Sequence, residues 1–149
     1  MPESPAQQLE EFIAKFDPAM ARRIRDCRAA LRRRFPTANE LVYDNYNFFV
    51  IGYCATERPS DCVMSLAANA KGIGLSFYHG ATLPDSNGIL QGSGNQNRFV
   101  RLENWATLRR PEIEKLLSAA AAQADPAFPA AGGAQLIIRS ISKKQRPRR

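Results

Sequence analysis

The stretch ELVYDNYNFFVIGYCATERPSDCVMSLAANAKGIGLSFYH, Glu40 to His79, decides the fold. Within it, "ELVY", "FFVIGY", "CVMSLAA" and "IGLSFYH" are short runs rich in β-branched and aromatic residues, and "RFVRL" adds a fifth run further on. The breaks between them carry turn chemistry. "NAKG", Asn69 to Gly72, joins two residue types that tolerate positive φ, and "RPSD" closes the connection before it. Strands spaced in this way predict an antiparallel meander.

Outward from the meander the periodicity changes to helical. Leu9, Phe12, Ile13 and Phe16 recur at i, i+3, i+4 and i+7, the spacing of a helix that buries one stripe. Asp17 before Pro18 reads as an N-cap followed by proline at the first helical position. Met20, Ile24, Cys27, Leu31 and Phe35 then mark one face of a second helix until Pro36 stops it. That helix also carries seven arginines, read as a solvated face that Glu10, Glu11, Asp17, Asp26 and Glu40 help to balance. A third helix starts near Pro111, with Ile113, Leu116, Leu117 and Ala120 along one side, and "QLIIRSIS" reads as a late strand. The expected class is α+β, an antiparallel sheet of about five to six strands packed against N-terminal helices and one C-terminal helix.

Composition limits the function classes. With 149 residues, 44% of them hydrophobic, the chain fits one domain, placed at 1–142. No apolar run reaches the length of a membrane span and the start shows no secretory pattern, so the expected location is cytoplasmic. Three cysteines, an odd count without a C-x-x-C pair, suggest reduced thiols in core positions, although Cys54 and Cys62 flank one connection and could meet on neighbouring strands. Six of the seven net positive charges fall within Arg139–Arg149, leaving +1 for residues 1–138. Residues 143–149 are therefore expected to form a basic, disordered tail. Lys143, Lys144, Arg146, Arg148 and Arg149 could make weak, sequence-blind contact with a polyanion.

Catalytic signatures are few. "HGATLPDSNGILQGSGNQNRF", His79 to Phe99, holds the only histidine and a glycine-rich run, but no Lys and Ser/Thr follow the glycines and a strand, not a helix, comes next, so a phosphate cradle is not indicated. A loop of about 17 residues is long for a compact domain, and loops of that length often bind ligands. A single histidine cannot build a multi-histidine metal site, and there is no G-x-S-x-G elbow. Asp44, Asp61 and Asp85 occupy turns, where aspartate is common for its own reasons. The aromatics from Tyr43 to Tyr78 could line a pocket, though core packing accounts for most of them.

The segments from "EEFIAKFDPAMARRIRDCRAALRRRF" through "YDNYNFFVIGY" and "LQGSGNQNRFVRL" to "RPEIEKLLSAA", Leu9 to Ala124, resemble the YdhG-like domain family. That family is a mostly bacterial group of small α+β proteins of largely unknown function. The resemblance implies a curved antiparallel sheet against helices and no reaction to carry over. Some members are similar to frataxin and are proposed intracellular iron chaperones, which makes iron carriage the alternative reading. Against it stand the near-neutral body and the arginine-rich second helix, since iron carriers usually present acidic oxygen ligands. The leading expectation is a binding or accessory domain, not a self-contained enzyme, that recognises a small anionic ligand or a protein partner. Its recognition surface would be the sheet face and the 80–97 loop, with Tyr46, Asn47, His79, Gln91, Ser93, Asn95 and Arg98 as candidate residues and no resident cofactor.

Overall fold

A computed structural model describes residues 2–149. The chain runs α1 (Pro5–Ala14), α2 (Pro18–Arg34), β1 (Asn39–Asp44), β2 (Phe49–Cys54), β3 (Cys62–Asn69), β4 (Gly72–Phe77), β5 (Arg98–Leu102), α3 (Pro111–Gln123) and β6 (Leu136–Ile141), with short 3-10 turns between some of them. α1 begins earlier than its apolar stripe, because Ser4 and Gln7 form a reciprocal capping box around Pro5 at the first helical position. Asp17 caps α2 as its sequence indicates, accepting from the Met20 amide at 2.8 Å. No helix among the described residues is long and apolar enough to cross a membrane.

The strands form one six-stranded sheet in the order β5-β4-β3-β2-β1-β6. Neighbours from β1 to β5 are antiparallel, but β6 lies parallel to β1, so the wholly antiparallel sheet expected from sequence is corrected to a mixed one. The cause is the connection. β6 is reached through α3 and a linker, a crossover that returns the chain to the opposite edge in the same direction as β1.

Cross-strand register sorts the side chains onto two faces. The rows Phe49–Ala68–Ile73 and Ile51–Leu66–Leu75 point toward the helices, where they join Leu9, Phe12, Ile13, Ile24, Leu31 and Leu117 in one core. Phe49 sits between Phe12 and Phe16, with ring centroids at 6.3 and 6.1 Å. On the other face a small cluster of Leu41, Cys54 and Cys62 is packed by Tyr43, Tyr78 and Ile137.

Two expectations from sequence change here. Cys54 and Cys62 are joined in a disulfide, not held as separate thiols, because a bulge between Tyr53 and Cys54 sets Cys54 directly opposite Cys62. Cys27 alone is a thiol, buried under α2, and burial, with the Asp26 charge next, pushes its pKa up to about 11.

The segment 143–149 is not a disordered tail. It folds back along α1 and the β1–β2 turn, and Arg148 is buried with its Nη2 donating to Asp44 Oδ1 at 2.9 Å and to the Asn45 carbonyl oxygen at 2.6 Å. Composition alone misleads here, since a cation that meets a buried carboxylate can be buried with it. Lys15 completes the arrangement at 2.7 Å from Asp44 Oδ2. Burial of Asp44 acts to raise its pKa, but hydrogen bonds from Lys15, Arg148 and Gln145 outweigh that and hold it below the usual aspartate value. A depressed carboxylate stabilises the fold above its unfolded-state pKa, and that contribution disappears as pH falls through the lower folded-state value. Thermal unfolding followed from neutral pH into acid should therefore show wild type well above Asp44→Asn near neutrality, with the gap closing at pH values below about 4. A gap independent of pH would mean that the Asp44 charge is not what holds the segment.

Candidate functional site on the uncovered sheet face

The sheet face away from the helices carries a concavity of about 770 Å³, and no helix residue lines it. Its floor follows from strand alternation. The parity that sends Met64, Leu66, Leu75 and Phe77 into the core turns Ser65, Ala67, Gly74 and Ser76 outward, and the register sets them side by side as Ala67–Gly74 and Ser65–Ser76. Small side chains at adjacent outward positions leave a depression between larger neighbours. Phe48, Tyr78 and Phe99 form its walls.

Tyr78 is held in place by its surroundings. Its hydroxyl lies 3.4 Å from where a Cβ at Gly52 would stand, so the missing side chain at Gly52 lets the phenol lie across the strand. Burial raises the Tyr78 pKa, against a hydrogen bond with Ser65 that pulls the other way. The phenol therefore stays neutral and available for hydrogen bonding at physiological pH.

Arg101 is the only charged residue on the lining, which contains no carboxylate. Its Nη1 lies 2.9 Å from the position a Gly72 Cβ would take, so the guanidinium rests over the backbone of the β3–β4 turn. It takes part in none of the ion pairs among the described residues. Gln96 and Asn97 add amides from the end of the long loop. The arrangement offers a flat apolar contact, hydroxyl and amide hydrogen bonds, and one exposed cation fork.

None of the seven candidate residues read from sequence lines this concavity. Tyr46 and Asn47 are exposed on the β1–β2 turn, beside Phe48. His79 borders a separate cavity of about 30 Å³ near Gln123 and Asp125. Gln91 pairs with Phe99 through two backbone hydrogen bonds of 2.8 and 3.0 Å, while Ser93 and Asn95 are exposed loop residues. Arg98 turns back on its own loop and donates from Nη1 to the carbonyl oxygens of Gly94 and Asn97 at 2.6 and 2.8 Å, so it ties the loop down. What the sequence reading missed was Arg101 and the small-residue floor. The signal was present in "SLAANAKGIGLS", where one parity is large and apolar and the other is Ser, Ala or Gly.

Among the described residues, four of the seven arginines of α2, Arg25, Arg28, Arg32 and Arg34, make ion pairs. Arg25 meets Glu10 at 3.0 Å, Arg34 meets Glu114 at 2.7 Å, and Arg28 meets Glu40 at 2.9 Å, which supports a balanced face over a nucleic-acid stripe. Among the described residues no group of three or more His, Cys, Asp or Glu side chains is placed to hold a metal ion. No protein-family model, curated protein or solved structure matches the chain.

Proposed function

We propose that this protein is a small-molecule binding domain whose ligand, a flat apolar body carrying one anionic group, lies on the uncovered sheet face. The observation that carries the reading is the Ala67–Gly74 floor between Phe48, Tyr78 and Phe99, with Arg101 as its one charge. The apolar body would stack on the floor and walls, and the anion would take the Arg101 fork. The site holds no evident nucleophile and base pair, which favours binding over turnover. The YdhG-like resemblance read from the sequence adds no reaction to this proposal. The Cys54–Cys62 disulfide supports an oxidising compartment over the cytoplasmic one expected from sequence.

Fluorescence titration with 8-anilinonaphthalene-1-sulfonate, a flat body with one sulfonate, tests the reading. Ala67→Leu, which fills the floor, and Arg101→Gln, which removes the cation, should each weaken binding at least tenfold, about 1.4 kcal/mol. Ser93→Ala should leave it unchanged. Ala67→Leu adds apolar surface, so nonspecific dye adsorption would move in the opposite direction. Titration curves indifferent to both Ala67→Leu and Arg101→Gln would remove the sheet face from consideration.

A further inference from the structure

Residues 143–149 carry five cations and, apart from Pro147, no apolar side chain, so hydrophobic burial does not hold them in place. A set of acceptors does. The fully buried Asp44 carboxylate and the Asn45 carbonyl oxygen take Arg148 Nη2 at 2.9 and 2.6 Å. The Tyr46 carbonyl oxygen accepts from the Arg146 amide at 2.9 Å, and the Tyr46 ring lies beneath the Arg146 guanidinium, 5.6 Å from its centroid. The Lys15 carbonyl oxygen accepts from Arg149 Nε at 3.2 Å. A carboxylate, carbonyl oxygens and an aromatic face, gathered at the end of α1 and the β1–β2 turn, are the groups that recognise guanidinium.

A second observation separates this seat from an ordinary ion pair. The Arg148 side chain is 2% exposed, yet its Nε and Nη1 are buried with no hydrogen-bond acceptor. A guanidinium presents five donors in a rigid fork, and this one uses a single nitrogen. Buried donors left without acceptors cost stability. The seat thus suits the chemistry of its occupant but answers only part of its fork, so the segment is held less firmly than a fully paired arginine would be.

The geometry points to an arginine-binding site centred on Asp44, whose resident ligand is the chain's own C-terminal segment and whose ligand in trans is an arginine-bearing peptide of another protein. The tethered segment competes from a high local concentration, so a peptide in solution gains access only as the segment is released or weakened. Lysine is the poorer ligand, because its compact ammonium is more strongly hydrated and gives up more on entering a fully buried seat.

The probe is a fluorescein-labelled peptide with the sequence of residues 142–149, followed by anisotropy at about 150 mM salt to screen nonspecific attraction. Full-length Arg148→Ala should bind it at least tenfold more tightly than wild type. A peptide carrying Arg148→Lys, with the same charge, should lose at least tenfold, and Asp44→Asn added to Arg148→Ala should abolish binding. Equal binding by wild type and Arg148→Ala would place the peptide elsewhere and overturn the proposal, as would no binding by either. Should Arg148→Ala fail to fold, hydrogen exchange of wild type decides the matter. Millimolar peptide should speed exchange of the Arg146 amide at least tenfold by displacing it from Tyr46, and an unchanged rate would overturn the proposal.

Discussion

Glu40→Ala should lower the free energy of unfolding by about 3–5 kcal/mol, among the largest losses that a single polar substitution can produce in this chain. Glu40 lies in β1 opposite Tyr53 of β2, on the face that α2 covers, and its side chain is 4% exposed. Both of its oxygens accept from Arg28 at 2.9 Å, one from Nε and one from Nη2, and the Tyr53 hydroxyl donates to it at 3.1 Å. Tyr53 is fully buried, and that burial, followed by the nearby Glu40 charge, drives its pKa well above the ordinary tyrosine value. Alanine would leave a mostly buried guanidinium and a buried phenol without their acceptor, and the cost of orphaned groups exceeds the worth of the pair itself. The exposed Arg25–Glu10 pair gives the contrast, since both of its side chains are about half in water and Glu10→Ala should cost less than about 1 kcal/mol. Urea unfolding monitored by circular dichroism measures both. A Glu40→Ala loss as small as that of Glu10→Ala would mean that water reaches the pair. The double variant Arg28→Met with Glu40→Leu should recover much of the loss, because no charge is then left buried.

Much of the fold was legible because its signals are local. Asn69 marks the β3–β4 turn, and its side chain accepts from the amides of Lys71 and Gly72 at 2.9 and 3.2 Å, the hydrogen bonding for which Asn is favoured in turns. Pro18 and Pro111 each open a helix where a missing amide donor costs nothing. What sequence reasoning missed depends on contacts between distant positions. The parallel direction of β6 is set by its pairing with β1, nearly a hundred residues away in the chain. The seat of Arg148 is supplied by Asp44, and nothing near "KKQRPRR" announces it. The sequence points to the sheet face as a recognition surface to propose, but its conspicuous residues there, such as His79 and Arg98, lie outside the concavity. A depression made by small residues advertises itself only when alternation is compared across neighbouring strands, as at Ala67 and Gly74.

Gly80→Ala should cost about 1–3 kcal/mol and should also weaken dye binding at the sheet face, although Gly80 does not line it. Gly80 opens the short 3-10 turn that follows β4, the chain returns as β5 at Arg98, and the two backbones pass in contact. A Cβ on Gly80 would stand 2.5 Å from Arg98 Cβ, 2.9 Å from its amide nitrogen and 3.1 Å from its Cα. These are backbone or near-backbone atoms, so no rotamer change relieves the overlap. The start of β5 would have to move away, straining the Phe77–Arg98 pairing and the 2.9 Å bond from the Ala81 amide to the Gln96 carbonyl oxygen. Gln96 and Asn97 border the concavity, so the same displacement reaches the proposed ligand contacts. Gly94 serves as the control within one loop, since a Cβ there meets nothing within 4 Å, and Gly94→Ala should change stability by less than about 0.5 kcal/mol. Chemical denaturation of the two variants, together with the dye titration, separates the effects. If Gly80→Ala were as stable as Gly94→Ala, the loop would close without this backbone contact, held at that end by the Ala81–Gln96 and Gln91–Phe99 hydrogen bonds and by Arg98 with its carbonyl partners.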